Sequence, residues 1–257
     1  MNKIGIIGCG WLGLHLAKHF ASENKVFTTT TSVEKQITLQ TMGFEATQIF
    51  FPEEHTLEKT KIWECLQELE TIIITIPFSK NTDIKRLENK FQNMLRFISN
   101  YNKSIFLMSS IGIYPQVEQP ISEHTFQDEQ LHQNMLYIEN QFKKQFPQIN
   151  ILRLGGLMGG TRMLSKYKVS NLDQAVNHVH YEDVCLIVKK MILKHFVGKT
   201  YNIVAPLHPT KKQIIDYQNK IIDNYSPIMN QGRIILGTLC SQELDYQYKH
   251  TNPIKFQ

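Results

Sequence analysis

The sequence predicts an α/β protein built on a doubly wound parallel sheet, with a smaller C-terminal lobe. Three observations predict it. Short apolar runs alternate with helix-period segments from the first residue to about residue 205. The apolar runs are continuous rather than alternating, as in strands covered on both faces. A glycine-rich turn joins the first run to the first helical segment.

The expected strands are residues 3–7, 25–29, 46–51, 71–76, 104–108 and 150–154, each a continuous stretch of apolar or β-branched side chains. Helices lie between them. Residues 12–20 form the first amphipathic segment. In residues 83–100, Leu87, Phe91, Met94, Leu95 and Ile98 recur at offsets of three and four, giving an apolar stripe that faces the sheet. A second long helix is expected at 127–145, with Leu131, Met135, Ile138 and Phe142 as its stripe and Pro147 just past its end. Beyond Gly155 the alternation loosens. A glycine-rich turn and a polar stretch lead to a helix at 181–194, a short strand at 200–204 and a helix at 211–223.

Composition narrows the classes. The chain has 257 residues, 42% of them apolar and 20% charged, which excludes disorder and fibrous repeats. Cys9, Cys65, Cys185 and Cys240 are scattered singly, the pattern of neither a disulfide framework nor a cysteine zinc site, so a reducing cytoplasm is expected. No apolar run approaches the ~20 residues of a membrane helix. The glycine-rich start lacks a small-residue cleavage site and reads as structure rather than as a signal peptide. The net charge of +5 is unevenly placed: residues 158–257 carry 13 basic and 7 acidic side chains. Such an excess suits an anionic small-molecule ligand, although paired lysines on a solvated surface give the same count. With five arginines in all, nucleic acid is not an expected partner. The oligomeric state is not readable.

Gly8-Cys9-Gly10-Trp11-Leu12-Gly13 reads G-x-G-x-x-G between a strand and a helix. In that context glycines permit a tight turn, let a pyrophosphate approach the backbone and let helix and sheet pack closely. The helix N-terminus adds N–H donors and the positive end of its dipole. A dinucleotide-binding Rossmann core over residues 1–157 follows, with Gly8, Gly10, Trp11, Leu12 and Gly13 at the phosphates. The end of the second strand, where a carboxylate would hold the ribose hydroxyls of NAD, reads Thr28-Thr29-Thr30-Thr31-Ser32, with no acid before Glu34. Hydroxyls at Thr30, Thr31 and Ser32, with Lys35, suit a 2′-phosphate, so NADP is expected ahead of NAD. Pro77, which ends the fourth strand at the carboxyl edge of the sheet, is a further cofactor contact or a plain strand terminator.

These residues resemble the extended short-chain dehydrogenases, which act as epimerases, dehydratases and reductases on nucleotide sugars, and the opening GCGWLG is similar to their atypical branch. Ser109-Ser110-Ile111-Gly112-Ile113-Tyr114 is similar to the family's Ser-Ser-x-x-Val-Tyr segment, with Pro115 where glycine is usual. Ile121-Ser122-Glu123 resembles the acidic turn that follows. Ile151-Leu152-Arg153-Leu154-Gly155-Gly156 and the segment from Asn177 to Val184 resemble two later segments that border the substrate. The four segments occur in the family's order over roughly residues 1–205. The resemblance implies hydride transfer on a small carbonyl or sugar-nucleotide substrate, with residues 158–257 as the substrate-side lobe and Arg153, Asn177 and His180 bordering the substrate.

One family feature is missing. The resemblance leads one to expect a Tyr-x-x-x-Lys pair, which shares one helix face and serves proton exchange beside the nicotinamide. None of the ten tyrosines has lysine four residues later. Aligning Glu139 with the glutamate that ends the motif puts Leu131 and Met135 in the two positions. Ser110 stands at the catalytic serine position, to bind a substrate carbonyl or else to cap a turn or a cofactor ribose. His132 and Tyr114 are stand-in candidates for the acid, an imidazole being suited by its neutral titration range. The apolar replacements also leave open a non-catalytic, cofactor-binding sensor or partner-binding protein.

Two further patterns lead elsewhere. His178 and His180 precede Asp183 and Cys185, but the resemblance explains His180 and Asp183 without a metal, and none is expected. Gly155 to Gly160 has phosphate-loop spacing with Thr161 where lysine is needed. The loop from Gly155 to Arg162 is expected to wall the substrate cleft, with Arg162 as an anion contact.

Overall fold

The chain folds around a single large sheet, which a computed structural model describes through residues 1–54, 60–78, 81–222 and 232–256. The strands are β1 (Asn2–Ile7), β2 (Asn24–Thr30), β3 (Glu45–Gln48), β4 (Thr71–Ile74), β5 (Ser104–Ser110), β7 (Asn150–Leu154) and β10 (Thr200–Ile203). Their order is β10-β7-β5-β4-β1-β2-β3, the arrangement of a doubly wound fold. The pairings of β1 with β2 and β4, of β2 with β3 and of β4 with β5 are parallel. Ile6, Ile7, Ile72, Ile73, Ile74, Ile105, Phe106 and Leu107 are fully buried, which is why these runs carry no polar alternation. The order ends at β3, a four-residue strand whose Glu45 pairs with Lys25 at 2.9 Å.

Internal contacts divide the chain into two compact units that interleave along the sequence. The first comprises Met1–Ile113, Leu131–Ile151 and Lys194–Lys199; the second comprises Tyr114–Gln130, Leu152–Leu193 and Thr200–Gln257. Strand β7 runs from one into the other.

In the first unit, α1 (Trp11–Phe20), α2 (Val33–Thr41), α3 (Ile84–Phe97) and α4 (Gln133–Gln145) join the strands. The stripe of α3 is as expected: Leu87, Phe91, Met94 and Leu95 are buried, and Asp83 caps the helix by accepting from the Lys85 and Arg86 amides. Phe91, Phe142, Trp63 and Phe97 lie in one core cluster with Ile72 and Ile74 of β4. Helix α4 is shorter than its apolar spacing predicts. Residues 128–130 form a 3₁₀ turn, and the helix starts only after His132, whose extended backbone sends its N–H to the Ile113 carbonyl at 2.8 Å. Leu131 is therefore buried outside the helix rather than on its stripe.

The second unit has β6 (Pro120–Ile121) paired with β11 (Ile234–Ile235), and β8 (Gly156–Met158) paired with β9 (His178–His180). Its helices are α5 (Tyr181–Leu193), α6 (Lys211–Gln218) and α7 (Thr238–Leu244). Thr210 and Gln213 form a capping box that starts α6. That helix stops at Asn219, short of the expected residue 223, because Lys220 takes a left-handed backbone; residue 223 itself lies outside the described residues. Leu164, Val176, Ile214 and Ile254 form a local apolar cluster. Among the described residues no helix is long and apolar enough to cross a membrane.

Candidate functional site

The carboxyl end of β1 opens into the glycine loop. Gly8 has φ +92, and a Cβ there would lie 2.6 Å from Ile76 Cγ1, so the turn needs glycine twice over. A Cβ on Gly13 would lie 2.6 Å from the Gly8 carbonyl and 2.9 Å from Thr75 Oγ1, which is how closely α1 packs on the turn. Gly10 differs. A Cβ there would find only the Gly8 carbonyl at 3.8 Å, so Gly10 fronts open space where a ligand can meet bare backbone.

Two threonines brace the loop. Thr29 accepts from the Gly8 amide through Oγ1 at 2.9 Å and from the Cys9 amide through its carbonyl at 2.8 Å. The Thr75 hydroxyl donates to the Gly8 carbonyl. Neither threonine belongs to the glycine motif; β2 and β4 bring them in as neighbours of β1. Helix α1 begins at Trp11, buries Leu12 and Gly13, and has no side-chain cap. The Trp11 ring meets His15 edge-on at 4.7 Å.

A cavity of about 310 Å³ opens beside this loop, within the first unit. Of the residues expected at a cofactor, Gly8, Gly10, Thr30, Thr31, Ser32 and Pro77 line it. So do Lys35, Phe50 and Lys90, the last two unforeseen; Phe50 is 68% exposed. Among the described residues the lining contains two lysines and no carboxylate. Glu34, the nearest acid in sequence, is fully exposed and accepts from the Ser32 hydroxyl at 2.7 Å, which holds its pKa below the usual carboxylate range. Burial pushes the Cys9 thiol up to about 11 despite the charge of Lys35, so this loop cysteine is a protonated packing group.

Ser110 ends β5. Its Oγ accepts from the Gly112 amide at 3.0 Å, the geometry of a turn-capping hydroxyl, and its O–H points to no acceptor among the described residues. A Cβ on Gly112 would lie 3.3 Å from Ser110 Oγ and 3.7 Å from Met135 Sδ, so serine and methionine flank the same small gap. Met135 is 2% exposed. The neighbouring Ser109 hydroxyl donates to the buried Glu139 carboxylate at 2.6 Å. His132 Nδ1 is buried with no hydrogen-bond partner among the described residues. An orphaned ring nitrogen of this kind is a group for which a ligand would supply the missing bond.

In the second unit Tyr114 is buried in a network. Its hydroxyl donates to Asn202 Oδ1 at 2.7 Å and accepts from Arg153 Nη1 at 2.9 Å. Burial raises its pKa, and the Arg153 guanidinium, 5.2 Å over the ring, partly offsets the rise. Glu123 accepts from the Asn202 amide at 2.7 Å. Asn177 ties two neighbours through its side chain, donating to the Arg233 carbonyl at 2.9 Å and accepting from the Ile235 amide at 2.7 Å. Arg162 closes a small bridge with Gly159.

His180 is buried and stacks on His250 with ring centroids 3.7 Å apart. Glu182 lies with them, the three offering metal-ligand atoms within 4.8 Å of one another. Lys249 and His250 already hold that carboxylate at 2.7 and 2.8 Å and pull its pKa down to about 2.

No protein-family model matches the sequence. Protein YeeZ of Escherichia coli K12 is 22% identical over 269 aligned positions, spanning 99% of this chain and 98% of that protein. Among solved structures, UDP-glucuronic acid 4-epimerase from Bacillus cereus in complex with NAD superposes with a TM-score of 0.69 at 14% identity, covering 99% of this chain and 93% of its own. Yeast methylglyoxal/isovaleraldehyde reductase complexed with NADPH gives 0.70 at 12% identity, covering 96% and 94%. The chain shares the fold of these two enzymes. Within that fold the glycine loop at the end of β1 and the serine at the end of β5 stand at the carboxyl edge of the sheet, where open α/β sheets bind ligands.

Proposed function

We propose that this chain binds a nicotinamide dinucleotide at its glycine loop, NADP in preference to NAD, and reduces or oxidises a small carbonyl or sugar-nucleotide substrate. The observation that carries the reading is the cavity beside the loop: backbone exposed at Gly10, hydroxyls at Thr30, Thr31 and Ser32 and, among the described residues, two ammonium groups and no carboxylate. An NAD site of this architecture would place an acid against the ribose hydroxyls; here Glu34, the nearest acid in sequence, is engaged by Ser32. The named structural neighbours, one holding NAD and one NADPH, support the cofactor class.

The cofactor, when bound, supplies or accepts the hydride. The chain's residues do the rest. The opening turn of α1 holds the pyrophosphate through backbone N–H groups, and the bare backbone at Gly10 lets it come close. Ser110 donates its O–H to the substrate oxygen, positioning the carbonyl while its own Oγ stays anchored on Gly112. His132 Nδ1 supplies the proton that the absent tyrosine would otherwise exchange. With Leu131 and Met135 buried and apolar, no phenol or ammonium competes for that role at the two family positions.

The test is NADPH and NADH oxidation by the full chain over a panel of aldehydes, ketones and nucleotide-sugar ketones. The expected result is NADPH-dependent turnover that falls by roughly a hundredfold or more in Ser110→Ala and in His132→Asn. Tight NADPH binding with no oxidation anywhere on the panel would remove the oxidoreductase assignment. At least tenfold tighter NADH binding would remove the NADP preference.

A further inference from the structure

We propose that Lys90 is a specificity-determining residue of the cofactor cavity, the second of two ammonium groups that receive a phosphomonoester on the adenosine ribose. The inference rests on the dinucleotide reading above and goes beyond it, since Lys90 lies in α3, fifty-five positions after Lys35, and no motif connects the two.

Lys90 is placed rather than loose. Asn89 donates to the Glu53 carbonyl at 3.0 Å and Asn93 to the Pro52 carbonyl at 3.4 Å, so α3 is stitched to the segment that follows β3 and forms the cavity's apolar wall. Between these two stitches Lys90 meets the Glu53 carboxylate at 3.3 Å while also lining the cavity. Its side chain is 23% exposed, enough to reach a ligand without being held in full solvent.

The charge count then selects the ligand. Among the described residues the cavity wall holds Lys35 and Lys90 and no acid. Glu53 sits behind Lys90 and neutralises one of the two charges across a long, half-exposed contact. Glu34, the acid next to Lys35 in sequence, is fully exposed on Ser32. A phosphomonoester carries about −1.5 to −2 charges near neutral pH. Such a group can draw Lys90 off Glu53 and satisfy both lysines, whereas a bare ribose hydroxyl leaves Lys90 on Glu53.

Calorimetric titration of the full chain with adenosine 2′,5′-bisphosphate and with adenosine 5′-monophosphate tests this. The parent protein is expected to bind the bisphosphate at least about tenfold more tightly, as charge-assisted hydrogen bonds give. Lys90→Gln should weaken the bisphosphate about fivefold or more and leave the monophosphate within about twofold. Glu53→Gln should bind the bisphosphate at least as tightly as the parent; if Lys90 served only to hold Glu53, the two variants would lose affinity alike. An unchanged ratio of the two affinities in Lys90→Gln, in a protein that binds both nucleotides, would overturn the assignment of Lys90 alone. Failure of the parent to bind either nucleotide overturns the dinucleotide reading and this inference with it.

Discussion

The Ser109 hydroxyl and the Glu139 carboxylate meet at 2.6 Å, with Glu139 wholly inaccessible to solvent. A carboxylate so placed depends on its donors, because an ion left unpaired in the interior costs several kcal/mol. The pair ties β5 to α4 one residue before Ser110, so it sets the strand end from which the candidate catalytic hydroxyl projects. Glu139→Ala should lower stability by about 2–4 kcal/mol, while Ser109→Ala should cost about 1–3 kcal/mol. Urea unfolding midpoints measure both; no measurable cost for Ser109→Ala would contradict the dependence of Glu139 on this donor.

The glycine loop makes a contrast between two single-methyl substitutions. Gly13→Ala forces a Cβ into the Gly8 carbonyl and Thr75 Oγ1, so both folding stability and dinucleotide affinity should fall. Gly10→Ala meets almost nothing in the protein. It should leave the melting temperature within a few degrees of the parent and still weaken dinucleotide binding by about tenfold or more, because the methyl occupies the ligand's approach. Equal affinity in Gly10→Ala and parent would mean that the phosphates do not pass over Gly10.

Tyr114 yields a stability prediction. Removing its hydroxyl leaves Asn202 Oδ1 and the buried Arg153 guanidinium each short of a partner. Tyr114→Phe should cost about 1–3 kcal/mol in denaturant unfolding. Dinucleotide affinity should not change, since no cavity-lining residue bonds to that hydroxyl. A loss of affinity without a loss of stability would return Tyr114 to the list of ligand-binding groups.

Acid sensitivity should trace in part to His178. Burial, helped by the positive charge of Lys211, holds this imidazole down to about 4. In the unfolded chain it titrates near ~6.5. Above that value neither state carries the proton and stability is full. Below it the unfolded chain takes up a proton that the folded chain refuses, so stability falls between roughly pH 6.5 and 4, by up to about 3 kcal/mol. His178→Asn should flatten this part of the profile. Comparing unfolding free energies at pH 7 and pH 4.5 in parent and variant reads the effect directly, and parallel slopes would rule it out.

Local features were legible in the residues and assembled ones were not. The glycine loop, the Asp83 cap region and the stripe of α3 depend on neighbours within one helical turn or one tight loop, so spacing reveals them. The braces of that loop, Thr29 and Thr75, are set by which strands flank β1, a fact of sheet order that no spacing encodes. Lys90 reaches the cavity because asparagines on either side of it grip a distant loop. Leu131 carries the apolar period of α4 and yet lies before the helix, because the His132 amide is spent on Ile113. Burial of an apolar residue explains its type equally well on either side of a helix start, and periodicity alone cannot separate the two.

The interleaving of the two units has a consequence for dissection of the chain. Strand β6, on the stretch Tyr114–Gln130, finds its ladder partner in β11, more than a hundred residues later. A cut after residue 157 would split β8 itself and part both it and β6 from their partner strands. Neither fragment would then be a self-sufficient piece: the first would carry an orphaned stretch of the second unit, and the second would lack the peptide that completes it. Separating cofactor binding from substrate recognition therefore has to be done by substitution rather than by truncation at this point.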